Sequence, residues 1–233
     1  MQFPDPLLRG RLVKRYKRFM ADVVLDTGET VTAHCANTGA MIGVQEPESE
    51  VWLSPARNPD RKLKFTWEMI RVADGLVGIN TAHPNKIVAE AIEGGRIPEL
   101  SGYTNLRREV KYGKNSRIDI LLSADGKPDC YVEIKNVHLM RTPGTAEFPD
   151  SVSTRAAKHQ AELTNMVAKG ARAVTFYLCQ RTDCDDFQLA GDIDPGYADA
   201  AAEARSKGVE SLCYACNLTP EAITVSRRLE IKN

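Results

Sequence analysis

Residues 10–16, 19–25, 29–34, 50–53, 65–73 and 76–80 form short runs in which apolar and polar side chains alternate. A period of two is that of a strand with one buried face. Turns at Asp26-Thr27-Gly28, Asn58-Pro59-Asp60 and Asp74-Gly75 separate the later runs, and such a series packs most simply as a small closed β-barrel. Beyond residue 83 the period changes. Apolar positions 87, 88, 91 and 92 form one stripe of a helix over 84–94. The pattern then predicts strands over 106–112, 116–122 and 130–135, a helix over 151–169, a strand over 173–179, a helix over 197–207 and a strand over 211–216. Two domains follow: a barrel over 1–82, and over 83–233 an α/β domain with a mixed sheet and flanking helices.

The hairpin in the middle carries the chemistry. Ser116-Arg117-Ile118-Asp119-Ile120-Leu121-Leu122 and Cys130-Tyr131-Val132-Glu133-Ile134-Lys135 flank a turn at Asp125-Gly126-Lys127-Pro128. Glu133 and Lys135 share a strand face, and Asp119 on the neighbouring strand can point the same way. The carboxylates of Asp119 and Glu133, with the Ile134 carbonyl, are hard oxygen ligands of the kind Mg²⁺ or Mn²⁺ takes. An ion held there lowers the pKa of a water and neutralises charge building on a phosphate under attack. Lys135 is the residue to hold or deprotonate that water, or to pair with the phosphate. Asp followed by Glu-x-Lys, in this order of helices and strands, resembles the PD-(D/E)XK nucleases. That resemblance makes Glu90, on the first helix, a further carboxylate candidate, with Glu109 on strand 106–112 a second-rank one. A solvated helix residue explains Glu90 equally well.

The whole chain resembles the sugar fermentation stimulation protein family. The segments that carry the likeness are Arg15-Tyr16-Lys17-Arg18-Phe19, His34-Cys35-Ala36-Asn37-Thr38-Gly39-Ala40-Met41, Arg61-Lys62-Leu63-Lys64-Phe65-Thr66-Trp67-Glu68, Ser116-Arg117-Ile118-Asp119, Val132-Glu133-Ile134-Lys135-Asn136-Val137, Phe148-Pro149-Asp150-Ser151-Val152 and Ile193-Asp194-Pro195-Gly196-Tyr197. It implies an N-terminal OB-fold joined to a PD-(D/E)XK nuclease-like domain, and DNA binding. Ala156-Ala157 and Leu189 depart from the family pattern, where glycine and proline are expected; neither is expected to touch the acidic cluster. Two functions are consistent with the resemblance: a Mg²⁺-dependent nuclease, or a non-cleaving DNA-binding regulator linked to sugar metabolism of the maltose type. Retained carboxylates favour the first, because uncompensated carboxylates repel phosphates.

Charge sharpens the expected partner. The chain balances 31 basic against 31 acidic residues, so attraction to nucleic acid must come from local patches. Arg9, Arg11, Lys14, Arg15, Lys17 and Arg18 crowd the front, and Arg57, Arg61, Lys62 and Lys64 make a second run. OB-folds bind single strands through a basic groove and aromatic platforms. Arg15, Tyr16, Lys17, Arg18, Arg61, Lys62 and Lys64 are therefore the expected nucleic-acid contacts, with Phe19, Phe65 and Trp67 divided between core and surface. With 42% hydrophobic and 27% charged residues the chain is globular.

Other signals point elsewhere. Cys213-x-x-Cys216 lacks a second ligand pair, and an offset of three in a strand places the thiols on opposite faces. Asp183, Asp185 and Asp186 lack the glycine and final glutamate of a calcium loop. His159, between Lys158 and Gln160 on the helix after the motif, is placed to approach the edge of the site. The sequence has no secretory leader pattern after Met1 and no membrane-length apolar run, so a cytoplasmic protein with reduced thiols is expected. Nucleases of this fold often dimerise, which makes a homodimer a further expectation.

Overall fold

The computed structural model describes residues 1–113 and 116–232. Six strands come first: β1 (Leu8–Tyr16), β2 (Met20–Leu25), β3 (Thr30–Cys35), β4 (Glu50–Pro55), β5 (Phe65–Val72) and β6 (Gly75–Gly78). They pair in the order β3-β2-β1-β4-β5-β6, and a parallel β3–β5 pairing, Ala33 with Phe65 and Cys35 with Trp67, closes the first five into a barrel. The alternation read from the sequence fills it, with Leu12, Val23, Ala33, Leu53 and Trp67 all inside. Trp67 is fully enclosed and its indole N–H donates to the Met69 carbonyl (2.9 Å), which makes it core. Phe19, at the β1–β2 turn, is 47% exposed.

The second half runs α1 (Pro84–Glu93), a 3₁₀ turn at Pro98–Leu100, β7 (Asn105–Tyr112), β8 (Ser116–Ser123), β9 (Cys130–Val137), β10 (Leu139–Thr142), β11 (Gly144–Phe148), α2 (Thr154–Ala168), β12 (Arg172–Cys179), β13 (Cys184–Leu189), α3 (Pro195–Ser206), β14 (Glu210–Leu218), β15 (Ile223–Arg228) and β16 (Glu230–Ile231). The main sheet has the order β15-β14-β12-β9-β8-β7, parallel across β9, β12 and β14 and antiparallel elsewhere. On one face Ile87, Val88 and Ala91 of α1 pack against Ile120, Val132 and Phe176. On the other, Leu163 and Met166 of α2 and Ala204 of α3 pack against Leu121 and Ala173. Cys213 and Cys216 join clusters on opposite faces, as an offset of three requires.

A second sheet, β10-β11-β13-β16, has no counterpart in the sequence reading, nor does β15. Its strands are short, and charge interrupts their alternation. Glu147 is buried on β11 only because Arg141 forks onto it (2.7 and 2.9 Å) and reaches Asp192 as well. A buried carboxylate reads as a surface residue until its partner is known.

The halves meet along a built seam. Gly78 N–H donates to the Gln180 carbonyl (2.8 Å) and Thr182 N–H to the Leu76 carbonyl (3.2 Å), extending β6 into the second half. Between them Arg181, 2% exposed, grips Asp183 with two hydrogen bonds (2.8 and 2.7 Å) and donates to the His138 carbonyl (2.9 Å). The late acidic run therefore supplies a structural partner. Met1 and Phe3 also cross over, pairing with Ile223 and Glu221, so the opening residues pack with the second half. Among the described residues no helix is long and apolar enough to cross a membrane.

Arg181 is buried while Asp183 is partly exposed and can rehydrate, so the cost of losing the arginine lies in its hydrogen bonds to charged and carbonyl oxygens. Arg181→Met is accordingly expected to lower unfolding free energy by about 2 kcal/mol, measured by urea denaturation. A midpoint equal to the parent's would show that the seam does not depend on this pair.

Candidate functional site

The β8–β9 ladder runs Leu122 with Cys130, Leu121 with Tyr131 and Ile120 with Val132, and then stops. Continued by one residue, it sets Asp119 opposite Glu133. Opposite residues of an antiparallel pair share a face. Where the ladder opens, the Ile134 N–H donates to Asp119 Oδ2 (2.7 Å) in place of a backbone carbonyl. The hairpin therefore brings Asp119, Glu133 and Lys135 to one place, as its parity predicts.

Glu133 is 3% exposed and held tightly. Its Oε1 accepts from Lys135 Nζ (2.9 Å) and from His159 Nδ1 on α2. Its Oε2 is buried without a partner. Burial works to raise its pKa, but the His159 hydrogen bond and the Lys135 charge outweigh it and hold the carboxyl below the usual range. Asp119 goes the other way. Burial first, and then the charge of Glu133, push it up to about 6 against the hydrogen bonds from Ile134 and Asn85.

Asn85, in the first turn of α1, donates from Nδ2 to Asp119 Oδ1 (2.9 Å) and to Glu109 Oε1 (2.8 Å). It thereby draws Glu109 of β7 to the site. Glu109 has φ of +55° inside a strand, a strained conformation of the kind that collects at functional sites. Glu90 is different: it lies further along α1, ion-paired with the Met1 amino group (2.7 Å) and Lys86 (3.7 Å), and the structure does not bring it to the cleft.

These residues line an open cleft of about 840 Å³, with Arg117, Arg155, Lys158 and Ser153 on its walls. His159 reaches it because α2 is fixed in rotation. Ala156, His159, Gln160, Glu162, Leu163 and Met166 are its buried residues, and Gln160 donates to Thr175 Oγ1 and the Tyr197 hydroxyl (3.1 Å each). Polar residues among the apolar positions of a helix's buried stripe are the sequence signal for His159 and Gln160. Asn85 and the wall arginines carry no comparable signal.

Among the described residues no three His, Cys, Asp or Glu side chains stand together as a metal-holding group. Mg²⁺ needs fewer, since it keeps several waters and takes one or two carboxylates. Glu133 with its unpartnered Oε2, facing Asp119, fits that requirement, and Ile134 lies beside them.

The barrel residues divide. Arg15 donates to Gln45 and to the carbonyls of Arg18, Asn37 and Gly39 (2.9–3.2 Å), and Arg18 donates to the Thr38 carbonyl (2.7 Å). Both brace the loop over 36–41, so their guanidiniums are already engaged. Tyr16 donates to Asp22 (3.0 Å), Arg61 to Thr66 (3.2 Å) and Lys64 to the Pro59 carbonyl. Lys17 and Lys62 are exposed.

The comparisons with known proteins agree with this architecture. Residues 13–79 match the SfsA N-terminal OB domain, and residues 82–222 match the sugar fermentation stimulation protein RE domain. The sugar fermentation stimulation protein homolog of Paramagnetospirillum magneticum is 59% identical over 98% of this chain and 97% of its own length. That of Rhodospirillum rubrum is 57% identical over 99% of each. The structure of Pyrococcus furiosus SfsA in complex with Ca²⁺ superposes with a TM-score of 0.89 at 25% identity, covering 100% of this chain and 98% of that one. By both domain matches and by relatives aligned along nearly its whole length, the chain belongs to the sugar fermentation stimulation protein family.

Proposed function

We propose that the protein is a divalent-metal-dependent phosphodiesterase acting on DNA, with Asp119, Glu133 and the Ile134 carbonyl as the ligands of Mg²⁺ or Mn²⁺. The observation that carries this reading is the buried, unpartnered Oε2 of Glu133 beside an Asp119 whose carboxyl is pushed up by burial and by the Glu133 charge. Two carboxylates held at close quarters in a polar cleft repel each other, and a cation offsets both charges. That a related SfsA was solved in complex with Ca²⁺ supports the same assignment.

When bound, the ion supplies positive charge at the phosphate and a more acidic water. The chain's own groups do the rest. Lys135 is 9% exposed and lines the cleft, placed to hold the attacking water or to neutralise a phosphate oxygen. His159 fixes the Glu133 carboxylate, and Asn85 orients Asp119 and Glu109 together. On the barrel, the exposed Lys17 and Lys62 are the cations of the predicted set best placed to meet phosphates.

Glu133→Gln keeps the shape of the side chain and removes its charge. Mg²⁺-dependent cleavage of labelled DNA is expected to fall by more than the roughly 10–100-fold that loss of an outer-shell partner costs, while binding survives. Cleavage at the parental rate in this variant, or equal parental cleavage in EDTA and in Mg²⁺, would remove the metal mechanism. A parent that binds and never cleaves under any metal would instead be the regulatory protein of the second reading.

The pH dependence follows from Asp119. Its folded pKa, about 6, lies above the ordinary carboxylate range, so its contribution to stability without metal is greatest at low pH and is lost as pH rises through about 6. Protons and metal compete for the same oxygens. Mg²⁺ should therefore raise the melting temperature little at pH 5 and clearly at pH 7.5. An equal rise at both would show that Asp119 is not a ligand.

A further inference from the structure

The floor of the cleft is acidic, and a phosphodiester must nevertheless settle there. Whatever holds the strand has to come from the walls. Arg117, on β8, and Arg155, in the first turn of α2, both line the cleft and are exposed. Among the described residues neither guanidinium has a carboxylate partner or a hydrogen bond. Arg141, Arg172 and Arg181, by contrast, each grip a carboxylate through two nitrogens.

Arg155 is an exposed cation in the first turn of α2, whose start meets one carboxylate, Asp194. A helix N-terminus carries partial positive charge and favours acidic residues in its first turn. The first turn of α2 has none and carries a cation. Its N-cap, Ser153, accepts from the Ala156 N–H (3.2 Å), and its own N–H donates to Asp194 Oδ2 (2.8 Å), which pins the helix start against the cleft. The Thr154 and Arg155 N–H groups have no described partner. Ser153, Arg155 and Ala156 all line the opening, so this end of α2 faces into it. An anion there would satisfy the free N–H groups, the dipole and the guanidinium together. Glu133, 3% exposed with Oε2 unpartnered, marks the same cleft as a ligand site, and because a carboxylate attracts a cation and repels a phosphate, the anion's contacts fall to the walls.

We infer that Arg117 and Arg155, the latter with the α2 N-terminus, form a phosphate clamp that holds a single nucleic-acid strand by the phosphates flanking the one presented to Asp119 and Glu133. This rests on the proposed phosphodiesterase reading. A cleft of about 840 Å³ has the size of a small-molecule site, which suits a few nucleotides of one strand. Lys158, on the same wall, is ion-paired with Glu162 (3.6 Å) and is secondary to the two arginines. The clamp assigns phosphate tracking to the nuclease-like half, where Arg15 and Arg18 of the barrel are occupied in bracing a loop.

The test is binding, read apart from cleavage. Fluorescence anisotropy of a labelled single-stranded DNA oligonucleotide is measured across a range of KCl, in Ca²⁺ and in EDTA. The proteins are the parent, Arg117→Gln with Arg155→Gln, the double Arg→Lys variant, and Lys169→Gln, a neutralised cation at the far end of α2. In the double Gln variant the slope of log K against log salt should flatten by about 0.7 per lost contact, roughly 1.4 in all, with weaker binding at every salt. The Lys variant should keep most of the parental slope, which shows that the positions tolerate change without unfolding. Lys169→Gln should match the parent. A parental slope in the double Gln variant, or an equal loss in Lys169→Gln, overturns the clamp. If the parent cleaves no DNA in Mg²⁺ and the slope still falls, the nuclease reading fails and the clamp stands; if the parent cleaves and the slope holds, the reverse is true.

Discussion

Asp119 and Glu133 face each other where a strand ladder comes apart, and the rest of the second half is arranged around keeping two negative charges in that position. Burying one carboxylate is costly, and burying two together adds their repulsion. The fold offsets the charge unequally. Glu133 receives an ammonium from its own strand and an imidazole from α2, so it stays ionised. Asp119 receives only neutral donors, Asn85 and the Ile134 N–H, and its carboxyl rises. One oxygen of Glu133 is left without any partner. A pair with one member compensated and the other not is what the proposed cation would neutralise.

That arrangement needs support from three directions. The parallel partner β12 runs alongside β9 through Glu133 and Lys135, which keeps their strand straight where β8 peels away. The side chain of Gln160, wedged between Thr175 and Tyr197, fixes the rotation of α2 and with it the reach of His159. The start of α1 delivers Asn85 rather than a carboxylate. Each is a long-range contact that orients a polar group already committed by the sequence.

The barrel contributes to the same site by position. Arg15 ties the β1–β2 turn to the Asn37 and Gly39 carbonyls, and from that loop the Met41 N–H donates to Asp150 (2.9 Å). Asp150 is held well below the usual range, at about 2: burial opposes this, and the His138 imidazole 3.3 Å away and the Met41 N–H outweigh it. Thr81, on the wall of the cleft, donates to the Ala36 carbonyl (2.7 Å). The loop over 36–41 therefore links Arg15 and Arg18 of the barrel to Thr81 on the cleft wall and to Asp150 ahead of α2. Arg15 and Arg18, expected as phosphate contacts, also brace this loop.

Period-two alternation determined the barrel strands, because each needs one apolar face whatever it pairs with. The hairpin register and the parity of residues 119, 133 and 135 likewise determined the carboxylate pair and its lysine, since neighbouring strands joined by a short turn have little freedom. Glu109 was legible only as a carboxylate on the adjacent strand; its turn toward Asp119 depends on Asn85, 24 residues earlier. The second sheet was not legible, because Glu147 is buried only once Arg141 neutralises it. Glu90 and Arg15 had the right chemistry in sequence and were directed elsewhere by partners distant in the chain, the Met1 amino group and the Asn37 and Gly39 carbonyls. Local periodicity fixes which face a residue occupies. Which charge it meets there is decided by packing between distant elements, because a charged group settles wherever the fold provides its counter-charge or hydrogen bonds.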